Sequence, residues 1–525
     1  MEFISVLNDV LGPVMHGPSS SHTAGSYHIG RTARSLLGDE PRTASFTFDP
    51  DGSYARTYRQ QGVDLALAAG LMGWPITDRR FLKALEFAKR SGLKLVFEIA
   101  PLVRADHPNM ARIRMTSANG GTLEITAKST GGGGFVIAEL EGRPVEIKGK
   151  SHETVVLAGR GAEAAVKRIM AASGRSTEAT FRRAKGREVL LSFRKDAPAT
   201  QRIRGRLKSF PAVKKTWTVD PVFHVRKGEP IFLSASEMVR AAARKRRSLG
   251  EIALAYEARI LGLSEEEVLS EVLKRYSIMR ESVARGLGSR GMAMQLLRPS
   301  AGGVFRAERS GKTPIGGLHT RAAARAMAVM HVANSMGIVC AAPTGGAAGA
   351  LPGVVVTLAE EKRVGDRRTA LMLLAASAVG LIVARRATFA AEVAGCQVEI
   401  GAAGAMAAAA VVEFAGGNAR QAADAAAIAF QNTMGSVCDL VQGICEIPCH
   451  TRNAVAASSA FVCADLILGG YRNLISLDET IDAVYSSGKM LPAELRCTAR
   501  GGIALAPSAL ALPRLRKKDR IQRSH

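Results

Sequence analysis

The stretch TALMLLAASAVGLIVA, residues 369–384, decides the fold of the second half of the chain. It is apolar on every side, whereas a helix at a protein surface keeps a polar face. Its 16 residues are short for a membrane span, and pairs of arginines bracket it at both ends. The stretch therefore predicts a core helix that other helices cover, and it argues against membrane insertion.

The surroundings of this helix extend the same pattern over residues 230–513. Helices rich in Ala, Leu, Val and Met alternate there with Gly-rich turns, and strand signals are scarce. Ser234 or Ser236 is expected to cap the first of these helices, with Glu237 in its first turn. We predict an all-α C-terminal domain, followed by a basic tail at residues 514–525.

The middle of the chain, residues 151–229, reads as a β-α-β-β-α-β unit. A hairpin is expected around Lys185 and Gly186, and a helix is expected to begin at Pro198. This order of elements is typical of a ferredoxin-like domain.

Residues 1–150 mix strand and helix patterns and predict an α/β domain. TASFTFD and ARIRMTS alternate as half-buried strands do, whereas VDLALAAGLMGW has helical spacing. With the two later regions, the chain is predicted to be a multidomain α+β protein.

Composition limits the function classes. The net charge is +25, but the basic clusters lack interleaved aromatic residues, so nucleic-acid binding is not favoured. The chain begins without a basic and apolar signal segment, which favours the cytoplasm. Seven cysteines in such a chain are unlikely to form a disulfide framework and are better explained as core residues or metal ligands.

Three cysteines lie on irregular segments: Cys396 in AGCQVEIG, Cys438 in GSVCDLVQG and Cys449 in IPCHTRN. Thiolates that converge from such segments suit zinc or an iron–sulfur cluster. A zinc site made of Cys438, Cys445, Cys449 and His450 remains an alternative. Cys463 and Cys497 are expected to be packed as small apolar residues.

Two glycine-framed loops are candidate binding elements. GPSSSHTAG, residues 17–25, offers hydroxyls and backbone N–H groups to a carboxylate, and its histidine can move a proton. CAAPTGGAAGALPG, residues 340–353, lacks the GK[ST] of a phosphate loop, so it indicates a close backbone approach to a ligand or a helix.

Together and in this order, these motifs resemble the iron–sulfur-dependent L-serine dehydratases. The resemblance covers most of the chain and includes HPNMARI, STGGGG, CDLVQGICEIPCHTRNA and LPAELRCTARGG. It implies a β domain, an ACT-type middle domain and a catalytic α domain. It also implies a [4Fe–4S] cluster on Cys396, Cys438 and Cys449, with Cys445 outside the ligand set.

The resemblance also implies site roles. A cluster with three thiolates leaves one iron able to act as a Lewis acid in the elimination of water from L-serine. The expected catalytic residues are His22, Ser20 and Ser21. The expected substrate-binding residues are Ser19, Thr23, Thr344, Arg452 and Asn453.

Two substitutions depart from the family pattern, because Gln61 and Val63 stand where many relatives carry histidine and threonine. A related lyase acting on L-threonine or L-cysteine is therefore an alternative, as is an amino-acid sensor with a structural cluster. The expected partners are the small-molecule substrate and a second copy of the chain, without membrane or nucleic acid.

Overall fold

The computed structural model describes residues 4–172, 176–183, 188–288 and 290–514. The chain divides into two compact units, Ser21–Lys227 and a second unit that joins Met1–Ser20 to Gly228–His525. The short first strand, β1 (Val14–His16), thus belongs to the second unit. The predicted N-terminal domain, residues 1–150, therefore contains residues of both units.

The unit Ser21–Lys227 opens with a mixed sheet and its helices. The helices are α1 (Gly25–Leu37), α2 (Ser53–Thr57), α3 (Val63–Leu71) and α4 (Ala84–Arg90). The strands are β2 (Pro41–Phe48), β3 (Lys94–Ile99), β4 (Met110–Ser117), β5 (Thr122–Gly131), β6 (Gly134–Leu140) and β7 (Arg143–Ile147). Their order is β3-β2-β4-β5-β6-β7, with β2 and β3 parallel and the neighbouring pairs antiparallel. Both strands predicted from alternation are confirmed as β2 and β4.

The same unit ends in a second sheet with the predicted β-α-β-β-α-β order. Its elements are β8 (His152–Gly159), α5 (Glu163–Ala171), β9 (Ser176–Arg183), β10 (Glu188–Lys195), α6 (Gln201–Lys208) and β11 (Val213–Val219). The strand order β11-β8-β10-β9 is antiparallel throughout, which is the ferredoxin-like arrangement. Strand β8 is buried on both faces, with Val155 in one hydrophobic core and Val156 in the other.

One predicted boundary in this sheet is wrong. Helix α6 begins at Gln201, because the Thr200 side chain caps it by accepting a hydrogen bond from the Ile203 N–H, and Pro198 lies before the helix. The hairpin turn predicted around Lys185 and Gly186 lies outside the described residues.

The second unit is helical. Its helices are α7 (Ala235–Lys245), α8 (Leu249–Leu261), α9 (Glu265–Gly288), α10 (Ala301–Arg309), α11 (Leu318–Asn334), α12 (Ala350–Glu361), α13 (Asp366–Arg386), α14 (Ala391–Ala394), α15 (Ile400–Phe414), α16 (Ala419–Thr433), α17 (Cys449–Leu468), α18 (Leu477–Lys489) and α19 (Pro507–Leu510). A short strand, β12 (Ile338–Cys340), pairs with β1 in antiparallel fashion. Ser234 caps α7 by accepting from the Glu237 N–H, as predicted.

Helix α13 confirms the expectation drawn from its sequence, since other helices bury it. Two stretches, Asp366–Arg386 and Cys396–Phe414, are long and apolar enough to cross a membrane by composition alone. Of the most apolar 18 residues in each stretch, 78% and 83% are buried inside the protein, as expected for core helices. The mixed sheets of the N-terminal region and the helical C-terminal region confirm the predicted fold class.

Candidate metal centre and active site

Three cysteines from separate segments meet inside the helical unit. Cys396 lies on a turn before α15, Cys438 on the loop after α16, and Cys449 is the first residue of α17. Ligand atoms of Cys396, Cys438 and Glu399 lie within 4.8 Å of one another. The Cys449 thiol interacts with both other thiols, and all three side chains are buried. The three predicted ligands are thus neighbours in space.

The chemistry of these thiols suits a metal. The hydrogen bond that the Cys396 thiol donates to Cys438, together with burial, raises the pKa of Cys396 well above its usual value. Contact with Cys445 and burial do the same for the pKa of Cys449. A bound cation reverses such shifts, because it binds the deprotonated thiolate. Cys449 also lies at the start of α17, where the helix dipole favours a negative charge.

Two more cysteines adjoin the three predicted ligands. Cys445 is partly buried against Cys449, and Cys497 is partly buried against Cys438. The Cys497 N–H donates to the Cys438 carbonyl at 2.8 Å, and Cys497 has a left-handed φ of 61°. Cys497 is packed as the sequence predicts, but no nearby CxxC spacing signals its place beside Cys438.

Arg452 is hydrogen-bonded beside the cysteines, and its side chain is only partly exposed. Its guanidinium donates to the Cys396 sulfur at 3.5 Å, to the Val437 carbonyl at 2.7 Å and to Asp439 at 2.9 Å. Asp439 in turn accepts from the Ile503 N–H at 2.8 Å. Arg452 therefore places a positive charge beside one thiol and connects it to the segment that carries Cys438.

Asn453 connects α17 to the glycine-rich loop. Its side-chain oxygen accepts from the N–H groups of Gly349 and Ala350, both at 3.1 Å. Its NH₂ group donates to the carbonyls of Gly346 and Cys449, both at 2.9 Å. Backbone groups thus use the full hydrogen-bonding capacity of this amide. Its predicted contact with substrate stays a prediction.

The glycine-rich loop brings Thr344 to the centre. The Thr344 hydroxyl donates to Glu399 at 2.6 Å. Burial raises the pKa of Glu399 to about 7, and the Thr344 hydrogen bond opposes that shift. A Cβ added to Gly346 would lie 2.7 Å from Glu399 Oε1 and 3.2 Å from Cys445 Sγ, so a larger residue would displace the Glu399 carboxylate. Glu399 is not among the predicted site residues, although it lies three residues after Cys396.

Part of the serine loop reaches the same region. A Cβ on Gly345 would lie 3.0 Å from the Pro18 carbonyl oxygen and 3.1 Å from the Ser20 nitrogen. Ser19 and Ser20 belong to the helical unit, and Ser20 is buried there. Two of the predicted site residues therefore lie on a segment that packs against the glycine-rich loop.

The remaining loop residues, Ser21, His22 and Thr23, belong to the unit Ser21–Lys227 and are buried. His22 Nδ1 lies 3.1 Å from the Ser21 hydroxyl, and Nε2 lies 3.1 Å from the Ser53 hydroxyl. Burial lowers the pKa of His22 to about 4. The imidazole is therefore neutral near pH 7, as a proton acceptor must be.

The zinc alternative requires His450 as a ligand. Among the described residues, the ligand atoms that converge belong to Cys396, Cys438 and Glu399 and do not include His450. Asn334 donates to His450 Nε2 at 3.0 Å, and the His450 and His331 ring centroids lie 5.2 Å apart. The zinc alternative also leaves out Cys396, although the Cys396 thiol is hydrogen-bonded to Cys438. The geometry favours the set that includes Cys396.

Buried thiols that converge from separate segments are typical of the class of proteins that bind a metal ion or a metal cluster. Within that class, residues 228–504 match the family model "Serine dehydratase alpha chain", and the chain belongs to that family. The chain is 36% identical over 282 residues to the "Probable L-serine dehydratase, alpha chain" of Bacillus subtilis, which covers 54% of this chain and 94% of the relative.

Two further relatives support the match. The "L-serine dehydratase, alpha chain" of Peptoniphilus asaccharolyticus is 34% identical over 273 residues, 52% of this chain and 93% of the relative. The "Probable L-serine dehydratase, beta chain" of Bacillus subtilis is 41% identical over 157 residues, 30% of this chain and 69% of the relative. This single chain thus resembles both the alpha and the beta chains of relatives.

Proposed function

We propose that this protein is an L-serine dehydratase, which converts L-serine to pyruvate and ammonia. The observation that carries the proposal is the meeting of Cys396, Cys438 and Cys449 beside a glycine-rich loop, in a member of this family. The relatives named above are called L-serine dehydratases.

We further propose that the three thiols hold a [4Fe–4S] cluster. The donor set supports this, because several soft thiols meet among apolar side chains and few hard oxygen donors accompany them. When bound, the cluster supplies Lewis-acid assistance to the departure of the serine hydroxyl.

The residues around the thiols suggest how the chain acts. Arg452 offsets negative charge on Cys396, and Asp439 orients the Arg452 guanidinium by accepting a hydrogen bond from it. Asn453 fixes the glycine-rich loop to the helix that begins at Cys449. Thr344 orients the Glu399 carboxylate at the edge of the centre.

We assign substrate binding to Ser19, Thr23 and Thr344, with Ser20 and Ser21 supporting catalysis. His22 remains the candidate for moving the α-proton, because its neutral imidazole has both nitrogens near hydroxyls. Removal of that proton and loss of water give an aminoacrylate, which tautomerises and hydrolyses to pyruvate and ammonia.

The alternatives differ in product. Gln61 lies before α3, and the helix begins at Val63, so the two departures from the family pattern flank one helix start. A lyase for L-threonine would yield 2-oxobutyrate, one for L-cysteine would yield sulfide, and an amino-acid sensor would bind its ligand unchanged.

The test is an anaerobic purification followed by an absorption spectrum and product assays with the three amino acids. A brown protein that forms pyruvate from L-serine is the expected result. A colourless, zinc-containing protein would rule out the cluster, and a brown protein active only on another amino acid would change the substrate.

The proposal also covers location, oligomeric state and the type of the middle domain. We propose that the protein is cytoplasmic and forms a homodimer. Light scattering after size-exclusion chromatography tests the dimer, and the mass of a monomer would contradict it. We propose that the ferredoxin-like domain, residues 151–229, is of the ACT type. Calorimetric titration of the full chain with amino acids tests whether that domain adds a second binding event.

A further inference from the structure

The first residues of the chain are anchored by a buried carboxylate. Glu257 on α8 is fully buried, and its carboxylate accepts from the Ser5 hydroxyl at 2.5 Å. It also accepts from the N–H groups of Val6 at 2.8 Å and Leu7 at 3.0 Å. Three donors thus converge on one carboxylate, which offers enough acceptor sites for all of them.

A second anchor lies on α9. Arg275 donates to the Leu11 carbonyl at 2.8 Å and to the Leu7 carbonyl at 3.3 Å. The apolar side chains of this segment are also buried in the helical unit: Val6, Leu7, Val10, Leu11 and Met15. Residues 4–11 are therefore docked through polar groups and through apolar packing.

Strand β1 continues the docked segment to the glycine-rich loop. It pairs with β12 with Val14 opposite Cys340 and His16 opposite Ile338. Beyond the strand, the Gly17 N–H donates to the Gly337 carbonyl at 3.0 Å. A Cβ on Gly17 would lie 2.0 Å from the Ala333 carbonyl oxygen, so the backbone has no room to shift toward α11.

We propose that residues 4–20 form a docked arm, that Glu257 and Arg275 are its positioning residues, and that the arm holds Ser19 and Ser20 against Gly345 for the reaction. The arm is continuous from Ser5 to Ser20, and it contacts α8, α9, β12 and the glycine-rich loop in turn. The part of the inference that concerns reaction rate rests on the proposed function, and the part that concerns docking does not.

The test compares Glu257→Gln with a matched control, Glu413→Gln. Glu413 is a second buried carboxylate of the helical unit, and it accepts from the Ser248 hydroxyl at 2.5 Å and the Gly250 N–H at 3.0 Å. Both substitutions replace a carboxylate by an amide with one acceptor oxygen. The partners of Glu257 lie in the arm, whereas those of Glu413 lie at the start of α8 and in its cap. Hydrogen exchange of the full chain, measured by mass spectrometry, reports on residues 11–20 in both variants.

Glu257→Gln is expected to speed exchange in residues 11–20 about tenfold or more, since buried donors lose their acceptor. It is also expected to lower kcat/KM for L-serine by about tenfold to a hundredfold at unchanged iron content. Glu413→Gln should leave exchange in residues 11–20 as in the parent chain. Ser5→Ala, which removes one of the three donors, should give a smaller change in the same direction.

The docking proposal is overturned if Glu257→Gln leaves residues 11–20 protected, or if Glu413→Gln exposes them equally. If Glu257→Gln fails to fold, Ser5→Ala decides by the same exchange measurement. A parent chain without serine activity would refute the proposed function, whereas the exchange result would still decide whether the arm is docked.

Discussion

Replacing Asn453 by alanine tests whether this residue positions the glycine-rich loop or binds substrate. The change removes one acceptor from Gly349 and Ala350 and one donor group from Gly346 and Cys449. Asn453 is fully buried, so water does not readily replace the lost partners.

The magnitude follows from the groups left without a partner. Each buried backbone group that loses its hydrogen bond costs about 1–3 kcal/mol. The two N–H groups and the Gly346 carbonyl are stranded, whereas the Cys449 carbonyl can still accept within its helix. Partial relaxation of the loop reduces the sum, and we expect a loss of about 4 kcal/mol. At roughly 2 °C per kcal/mol, the unfolding midpoint of the helical unit should fall by about 8 °C.

The assay is thermal unfolding after removal of iron with a chelator, so that metal binding does not contribute to the midpoint. Thr451→Ala is the matched control, because Thr451 is an exposed residue of the same helix turn. Its midpoint should stay within about 1 °C of the parent. An Asn453→Ala chain with the parent midpoint and only a raised KM for L-serine would refute the positioning role.

Two other variants follow from the structure. Gly345→Ala should keep the iron content but lower kcat/KM about tenfold or more, because its Cβ would meet Pro18 and the Ser20 backbone; an unchanged kcat/KM would contradict that contact. Burial lowers the pKa of His28 from 6.5 to about 4, so the unfolded chain takes up a proton below pH 6.5 that the folded chain refuses. His28 should therefore contribute about 1.4 kcal/mol per pH unit to the loss of stability from pH 6.5 toward 4, beside the contributions of His22 and other buried histidines. In denaturant titrations, the slope of His28→Gln should be smaller than that of the parent by about this amount, and an unchanged slope would contradict the buried neutral state of His28.

The sequence predicted elements whose signal is local. The apolar stretch at residues 369–384 identified α13, and Ser234 with Glu237 identified the start of α7. The ferredoxin-like order was also readable, because each strand and helix has its own periodicity. Helix α6 was misplaced because the proline signal at Pro198 outweighed the capping side chain of Thr200.

Contacts between distant segments were not readable in this way. Strands β1 and β12 have three residues each and pair across most of the chain, so periodicity gives no sign of them. Cys497 reaches Cys438 through a left-handed backbone that a cysteine seldom adopts. The family motifs predict the three thiols. That Glu399 and Cys497 lie beside them could be found only from the folded structure.

The most direct test of the central claim is the iron and sulfide content of anaerobically purified cysteine variants. Cys396→Ser, Cys438→Ser and Cys449→Ser should each lose the brown absorption, the iron and pyruvate formation. Cys463→Ser is the matched control, because Cys463 is buried on the same helix as Cys449 but outside the cysteine cluster, and it should keep about four iron atoms per chain. Full iron content in any of the three ligand variants would contradict the account.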